Sequence, residues 1–387
     1  MARVFVHNLF ALRKQCKPMS FRDSPRERNG ILSRKVVWIG CAVIALSIVL
    51  YLAGFAPESR EEPEDYGGFR SGITYAMNTV IEQKWYGESA DTVYTGMETK
   101  IREIESVLSM HLSQSEIAAI NENAGVQPVE VSQRTFDLLQ RAKELSEQSD
   151  GAFDITIAPV VELWGITSDH PHVPTDEELA QAMALMGLED LVLDEEACTA
   201  YLTRPGMAID LGGIAKGWTA DQLREYAREL GAERGYVSLG GNLMIIGERP
   251  DGDPFKFGLR DPQGDASTYL GTVTLEDGCT MATTGGYERY FEEDGIRYHH
   301  VLDPRTGYPA DSDLLSVAVI SKDGTLADYL STTLFVQGLE AAKAAAGSED
   351  YALVMVDQEN NVWISGSLRG NFEPHETDAD YTYIYID

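Results

Sequence analysis

The sequence predicts an α+β fold in which helices pack on mixed, mostly antiparallel sheets. Two observations favour this class. Apolar residues recur at helical spacing after residue 90, whereas many later segments have the length of ~4–8 residues and the composition of strands. Several of these short segments follow one another without a helix between them, as antiparallel neighbours do. At 387 residues, the chain is long enough for one large domain or two closely packed lobes.

An apolar segment near the N-terminus predicts a membrane anchor. Residues 36–55 contain no charged residue, and ~20 apolar residues match the length of a bilayer-spanning helix. Basic residues precede the segment and acidic residues follow it, so the positive-inside rule places the N-terminus in the cytoplasm. A cleaved signal peptide is the alternative, although this run is longer than the ~7–15 apolar residues of a signal-peptide core.

These features divide the chain into four parts. We expect a basic cytoplasmic segment at 1–35, a transmembrane signal anchor at 36–56, a linker at 57–68 and a folded domain at 69–387. The protein would then be a single-pass protein of the cell membrane. Its folded domain would lie outside the cytoplasm.

The charge distribution argues against nucleic acid as a partner. The chain has a formal net charge of −31, and residues 1–35 hold nine Lys or Arg against two acidic residues. The remainder therefore carries about −38. A domain this acidic repels a phosphate backbone, and a solvated acidic surface is the simplest interpretation.

Two of the four cysteines, Cys198 and Cys279, fall in the predicted folded domain. An oxidising compartment allows a disulfide between them, and two free thiols are equally compatible with the sequence. No CxxC pair or Cys/His spacing in the sequence suggests a zinc site.

The first half of the predicted domain contains four helices. Apolar residues at helical spacing predict a helix over about 91–109. A second helix begins near Ser115 and ends before Gly125, a third covers about 132–149, and a short one covers 176–186. Acidic residues in the first turn of the short helix complement its dipole.

The second half adds strands and three more helices. We expect helices over 213–230, 325–336 and 339–346. The predicted strands, in chain order, are 236–247 (interrupted by Gly240-Gly241), 256–259, 269–275, 289–291, 297–302, 314–321, 352–356 and 361–365.

Asp328 and Thr332 lie four residues apart on the predicted helix at 325–336, so their side chains share one face. A carboxylate and a hydroxyl are hard oxygen ligands, which suit Mg²⁺ bound jointly with phosphate oxygens. The same spacing is common among capping and surface residues, and that interpretation stays open.

Residues 210–217, DLGGIAKG, combine two glycines and a lysine with the start of a helix. Free N–H groups and the helix dipole at such a terminus favour an anion such as phosphate, and Lys216 adds a positive charge. The segment lacks the spacing of a P-loop. An ordinary strand-to-helix turn is the alternative.

Two adjacent histidines, His299 and His300, precede the Pro/Gly turn of HVLDPRTG at 300–307. Side chains alternate along a strand, so only one of the two can face a given site. With an ordinary pKa of ~6.5, either could act as a base near neutral pH. A lone histidine on a strand is also often structural.

Taken in order, these motifs resemble the ApbE family of flavin transferases over roughly residues 70–365. The matching segments are Met77-Asn78-Thr79, Ser115-Glu116-Ile117, Gly151–Thr156 with Trp164-Gly165, Asp210–Gly217, Gly240-Gly241, His300–Gly307, and Asp328–Thr332 continuing into Leu334-Phe335. The resemblance implies an ApbE-like fold and a Mg²⁺-dependent transferase with FAD as its substrate. Such an enzyme cleaves FAD, attaches FMN through a phosphoester to a threonine of a target protein, and releases AMP.

The resemblance also implies roles for individual residues. Asp328, Thr332 and the main-chain carbonyl of Gly213 would hold Mg²⁺, and His300 would take the proton of the acceptor hydroxyl. The residues lining the FAD site would be Met77, His111, Ala152, Phe153, Asp154, Asp210 and Lys216.

Two positions depart from the family pattern. His111 stands where the family usually has an aromatic residue, which weakens the case for ring stacking there. Gly213 stands where Ser, Thr or Ala is usual, and a carbonyl ligand tolerates that change. Many members are lipoproteins, whereas this chain has a predicted helical anchor.

The expected partner is a membrane or extracytoplasmic redox flavoprotein with an acceptor threonine. Two other functions stay open at this stage. If water replaces threonine, the same site would hydrolyse FAD to FMN and AMP. The third possibility is a flavin-binding surface protein without catalytic activity, although binding alone needs no base such as His300.

Overall fold

The computed structural model describes residues 68–265, 267–377 and 379–387, which belong to the unit Asp65–Asp387. The predicted basic segment, the anchor at 36–56 and the linker up to residue 67 lie outside the described residues. Among those that are described, no helix combines the length and the apolar character needed to cross a membrane.

The described residues contain strands and helices in alternating groups. Numbered in chain order, the strands are β1 (Phe69–Ala76), β2 (Thr79–Tyr86), β3 (Val129–Glu130), β4 (Leu191–Asp194), β5 (Thr199–Leu202), β6 (Arg234–Leu239), β7 (Asn242–Ile246), β8 (Phe255–Arg260), β9 (Tyr269–Leu275), β10 (Thr280–Gly285), β11 (Tyr290–Glu293), β12 (Ile296–His299), β13 (Leu314–Ser321), β14 (Tyr351–Asp357), β15 (Asn361–Ser365), β16 (Phe372–Pro374) and β17 (Thr382–Ile386). The helices are α1 (Ala90–Leu108), α2 (Glu116–Glu122), α3 (Gln133–Glu147), α4 (Ala158–Trp164), α5 (Asp176–Met183), α6 (Ala215–Glu229), α7 (Gly324–Gln337) and α8 (Leu339–Ala345).

The largest sheet in the described part of the chain has nine strands in the order β1-β2-β6-β7-β10-β13-β14-β15-β17. Every neighbouring pair is antiparallel except β15 and β17, which are parallel. Three smaller antiparallel sheets join β16-β9-β8, β3-β5-β4 and β11-β12. The predicted α+β class with mostly antiparallel strands is therefore confirmed.

The large sheet is buried on both faces near its centre. Successive residues of β7 belong to different cores, because side chains alternate across a strand. Leu243 and Ile245 pack with the small β8-β9 sheet, whereas Met244 and Ile246 pack with α1 and α6. Each fully buried side chain of this size contributes ~1.5–3 kcal/mol to folding. Both faces of the sheet are therefore covered near its centre, and α1 and α6 pack on one of them.

Helices α6 and α7 approach each other closely at two glycines. A Cβ atom on Gly217 would overlap the carbonyl oxygen of Gly324 and lie 2.5 Å from Cβ of Asp328. With glycine present, the backbone N–H of Gly217 donates to Oδ2 of Asp328 at 2.9 Å. The missing side chain therefore allows a direct hydrogen bond between the two helices.

Asp221 of α6 also fixes the first turn of α7. Its Oδ1 accepts from the N–H of Gly324 at 2.9 Å, and its Oδ2 accepts from the N–H of Thr325 at 2.8 Å. Asp323 is the N-cap and accepts from the N–H of Leu326 at 2.8 Å. Carboxylates satisfy the N–H groups that a helix start leaves without partners and interact favourably with its dipole.

The structure corrects two predictions about hairpins. The segment 236–247 is not one interrupted strand but the hairpin β6-β7, which turns at Gly240-Gly241 with φ of 56° and 104°. The hairpin β1-β2 was not predicted at all. Its turn residues, Met77 and Asn78, adopt φ of 52° and 54° without the glycine that usually signals such a turn.

Strands β3, β4, β5, β10, β16 and β17 also lie outside the predicted strands. The predicted strand 297–302 ends at His299, so His300 lies just beyond β12. Helix α4, which ends at Trp164, is not among the helices that the sequence predicts. Cys198 and Cys279 are both free thiols and pack in different cores, which decides between the two alternatives.

We predict that Gly217→Ala destabilises the protein. The added methyl group must separate α6 from α7, and overpacking of this kind costs about 1–3 kcal/mol. Chemical denaturation measures the free energy of unfolding. Gly347→Ala is the matched control, because its added Cβ would lie 3.7 Å from the nearest heavy atom outside its chain neighbours, which is ordinary van der Waals contact. Equal stability of the two variants would show that the contact between α6 and α7 is not close.

Candidate active site

Asp328 lies inside α7 and is almost completely buried, with 2% of its surface exposed. The N-cap of this helix is Asp323, so Asp328 is neither a capping nor a surface residue. One carboxylate oxygen, Oδ2, accepts from the Gly217 N–H at 2.9 Å. The other oxygen, Oδ1, lies 3.5 Å from Nζ of Lys216. A buried carboxylate needs partners of this kind, because burial disfavours an unpaired charge.

Thr332 lies one helical turn after Asp328 and close to Gly213. A Cβ placed on Gly213 would be 3.4 Å from Oγ1 of Thr332 and 2.9 Å from Cε2 of Phe153. The same Oγ1 is 3.4 Å from Oγ1 of Thr284 on β10. The predicted metal ligands Asp328, Thr332 and Gly213 thus lie around the junction of α6 and α7.

The donors at this junction fit Mg²⁺. They comprise one carboxylate, one hydroxyl and a main-chain carbonyl, all of them hard oxygen ligands. Across the described residues, no group of three or more His, Cys, Asp or Glu is arranged to hold a metal. A metal bound here would draw on a single carboxylate plus neutral oxygens. Mg²⁺ commonly binds in this way, because it retains water and takes further ligands from substrate phosphates.

Lys216 connects Asp328 to Asp210 through Gly212. Its Nζ donates to the carbonyl of Gly212 at 3.0 Å, in addition to its contact with Asp328. The N–H of Gly212 in turn donates to Oδ1 of Asp210 at 2.7 Å. Burial raises the pKa of Asp210, while this hydrogen bond and the positive charges of His111 and Lys216 act to lower that pKa. His111 and Lys216 therefore lie close enough to Asp210 to influence its pKa.

The segment 151–154 borders the same junction. Phe153 packs edge-on against the ring of Tyr329 on α7, with 5.1 Å between ring centroids, and it also adjoins Gly213. Ala152 is buried. Asp154 accepts from both N and Oγ1 of Thr156 at 2.7 Å, so it has the partner that a polar residue in apolar surroundings needs.

The two adjacent histidines have different surroundings. Nε2 of His299 lies 3.2 Å from the carbonyl of Ala310, and the ring packs edge-on against Phe335. His300 instead directs Nδ1 to the carbonyl of Arg289 at 3.2 Å, and its backbone N–H donates to the same oxygen at 3.0 Å. The opposite orientations agree with the alternation expected from the sequence.

His300 is electrically neutral at neutral pH. Burial, and then the positive charges of Arg289 and Lys216, lower its pKa to about 4. Its Nδ1 donates to the Arg289 carbonyl in the neutral form, which leaves the lone pair of Nε2 available to accept a proton.

The turn after His300 is held by two sets of contacts. Asp303 accepts from Nε of Arg305 at 2.8 Å and from Nη2 at 2.7 Å, a bidentate ion pair. The indole N–H of the buried Trp164 donates to the carbonyl of Gly307 at 2.7 Å. Trp164 therefore anchors the turn to α4.

Met77 and His111 lie at the margin of the site. Met77 occupies the β1-β2 turn, where its N–H donates to Oε1 of Glu105 at 2.6 Å. The next residue, Asn78, accepts at its carbonyl from Nη2 of Arg289 at 2.5 Å. Since the Arg289 carbonyl holds His300, two hydrogen bonds link the turn to the histidine. His111 is exposed and follows α1.

Sequence reasoning missed three residues that shape this site. Thr284 contacts Thr332, Asp221 fixes the start of α7, and Arg289 holds His300. Thr284 stood directly before the Gly285-Gly286 pair, which was a usable signal. The roles of Asp221 and Arg289 depend on pairings between distant segments and had no local signal.

Known proteins share both sequence and fold with this chain. The model of the ApbE family matches residues 77–355. An FAD:protein FMN transferase from Klebsiella pneumoniae (strain 342) is 39% identical over 285 residues, which cover 73% of this chain and 87% of the relative. One from Vibrio cholerae is 33% identical over 316 residues, covering 81% and 92%.

Two solved structures agree with these matches. The ApbE protein of Thermotoga maritima superposes with a TM-score of 0.73 at 32% identity, covering 80% of this chain and 100% of that one. The flavin transferase ApbE from Vibrio cholerae gives a TM-score of 0.70 at 29% identity, covering 79% and 99%. All the predicted site residues fall inside the matched span of 77–355. The chain belongs to the ApbE family and has its α+β fold.

Proposed function

We propose that this chain is a Mg²⁺-dependent FAD:protein FMN transferase. It would cleave FAD, attach FMN through a phosphoester to a threonine of a target flavoprotein, and release AMP. The observation that carries the proposal is the meeting of Asp328, Thr332 and Gly213 at one junction beside Lys216. The names of the two relatives, FAD:protein FMN transferase, support the reaction.

Asp328, Thr332 and the Gly213 carbonyl are the proposed metal ligands. Mg²⁺, when bound, supplies positive charge that neutralises phosphate oxygens. The Gly217 N–H holds Oδ2 of Asp328, so Oδ1 is the carboxylate oxygen that would face a cation. The Lys216 ammonium, 3.5 Å from Oδ1, lies within reach of a substrate phosphate.

The proposed FAD site lies around the same junction. Phe153 and Ala152 would supply its apolar wall, while Met77 and His111 would line its margin. Three charged residues, Asp154, Asp210 and Lys216, would provide polar contacts. The helix start at α6 presents N–H groups that favour phosphate.

His300 is the proposed general base. With its Nδ1 donating to the Arg289 carbonyl, its Nε2 would accept the proton of the threonine hydroxyl. The threonine oxygen would then bond to the phosphorus of the FMN phosphate. The bond from that phosphorus to the bridging oxygen would break, and AMP would leave with this oxygen.

We also propose that residues 36–56 anchor the protein in the cell membrane with its catalytic domain outside the cytoplasm. The apolar run of the sequence and its flanking charges support this location. A membrane or extracytoplasmic redox flavoprotein would then be the accessible target.

The metal assignment predicts that Asp328→Ala abolishes both AMP release and FMN transfer. The full-length protein is incubated with FAD, Mg²⁺ and a candidate acceptor, and AMP and protein-bound FMN are measured by mass spectrometry. We expect a loss of at least ~100-fold, because the cation loses its only carboxylate ligand. Asp91→Ala, at a side chain that is 90% exposed, is the control. If Asp328→Ala transferred FMN at the full wild-type rate, the metal assignment would be refuted. If the wild type released AMP together with free FMN, the reaction would be hydrolysis of FAD.

The base assignment predicts that His300→Ala loses transfer and keeps FAD binding. General-base catalysis typically contributes ~10²–10⁴-fold, so the rate of FMN transfer should fall within that range. Fluorescence titration measures FAD affinity separately. His170→Ala, at an exposed histidine, is the matched control. If His300→Ala transfers FMN at the wild-type rate, the base is another residue.

The low pKa of His300 predicts the pH dependence of kcat/KM for FAD. A protonated His300 cannot accept a proton, so kcat/KM falls as the pH drops through the pKa of the free enzyme. Because that pKa is about 4, activity should persist well below the ordinary histidine value of ~6.5. An acid limb centred near ~6.5 would contradict the burial of His300 described above.

A further inference from the structure

An open groove of about 380 Å³ lies beside Arg289, whose carbonyl is hydrogen-bonded to His300. This volume is within the ~300–1,000 Å³ of typical ligand sites. Its lining includes Tyr75, Asn78, Thr167, Ser168, Arg289 and Tyr290. Neither the proposed metal ligands nor the proposed FAD contacts contribute to it. The groove is therefore a separate surface from the α6-α7 junction.

A chain of hydrogen bonds links this groove to the proposed base. Arg289 is part of the groove lining, and its carbonyl accepts from both N and Nδ1 of His300. The guanidinium of Arg289 donates to the carbonyl of Asn78 at 2.5 Å, and the hydroxyl of Tyr75 donates to Oδ1 of Asn78 at 2.8 Å. A ligand in the groove would thus lie next to the residue that orients the His300 ring.

The residues on either side of the acceptor threonine need a binding surface near His300. The threonine belongs to a polypeptide, so the residues on either side of it must run across the enzyme once the hydroxyl reaches His300. The groove lining carries hydroxyl, amide and guanidinium groups, which can pair with the N–H and C=O groups of a peptide main chain. Its chemistry therefore matches an extended peptide.

Two strands beside the groove have main-chain edges without a partner strand. In the part of the chain that the structure describes, β1 pairs with β2 alone and β11 with β12 alone. An extended peptide can bind to such edges by adding a strand. Tyr75 of β1 and Tyr290 of β11 are 65% and 43% exposed. Exposed tyrosines of this kind are enriched at protein interfaces.

We propose that this groove binds the extended segment of the target protein that carries the acceptor threonine. The proposal rests on the proposed function and assigns the surface that would select the target. The main chain of the segment would run past Asn78 and Arg289, and side chains next to the threonine would contact Tyr75 and Tyr290. These contacts would make the groove a determinant of target specificity, distinct from the FAD site.

A peptide library tests the proposal without a known target. The probe is a mixture of nine-residue peptides with threonine at the centre and random residues elsewhere. The full-length enzyme is incubated with the library, FAD and Mg²⁺, and the peptides that gain FMN are sequenced by mass spectrometry. We expect the wild type to select residues on at least one side of the threonine.

Thr167→Trp is the decisive variant, because it places a bulky ring at an exposed position of the groove lining. We expect the kcat/KM for a selected peptide to fall at least ~10-fold and the residue selection to change, with FAD affinity unchanged. Tyr290→Ala removes an exposed ring instead of adding one and should act in the same direction. Val192→Trp, at a 47% exposed position on β4, is the matched control and should leave kcat/KM unchanged.

Each contrary result has a distinct meaning. Thr167→Trp and Tyr290→Ala could instead select the same peptide residues as the wild type, with the same kcat/KM. That result would refute peptide binding in the groove but not FMN transfer. Weaker FAD binding in both variants would assign the groove to FAD and would also overturn the proposal. AMP release without any FMN-peptide from the wild type would overturn the proposal that the groove binds an extended segment, whereas transfer to protein is decided by the assay with a protein acceptor.

Discussion

The close contact between α6 and α7 is the interaction on which the site depends. Because Gly217 has no side chain, the helices approach closely enough for its N–H to hold Oδ2 of Asp328. Asp221 of α6 fixes the first turn of α7 through hydrogen bonds of 2.8–2.9 Å. One helix therefore sets both the position of the other and the orientation of its buried carboxylate. Thr332, one turn later, is placed by the same constraint.

Other elements supply contacts to this junction and to His300. Strand β10 supplies Thr284, and the segment between β10 and β11 supplies Arg289, whose carbonyl orients His300. Trp164 of α4 holds the turn after His300 through a hydrogen bond to Gly307. In the proposed mechanism a cation binds at the junction and His300 acts as a neutral base. A protonated His300 would be repelled by that cation. The pKa of His300, lowered to about 4, removes that conflict at neutral pH.

Local patterns predicted the parts of this structure that local interactions determine. The spacing of Asp328 and Thr332 required only a helix, and the amphipathic pattern of α1 showed its boundaries to within one residue. The β1-β2 hairpin escaped prediction because Met77 and Asn78 adopt positive φ without a glycine. Gly240-Gly241 was taken for an interruption because a strand and a tight hairpin share the same apolar pattern. Asp221 and Arg289 act across long separations in the chain, where periodicity carries no information.

The position of the bound cation tests the central claim most directly. Mn²⁺ prefers oxygen ligands as Mg²⁺ does, and its anomalous scattering locates it in a crystal. We expect the Mn²⁺ peak beside Oδ1 of Asp328, Oγ1 of Thr332 and the carbonyl of Gly213, with Nζ of Lys216 moved away from Oδ1. A peak elsewhere, or Lys216 still paired with Asp328 in the metal-bound crystal, would contradict the assignment of the α6-α7 junction as the metal site.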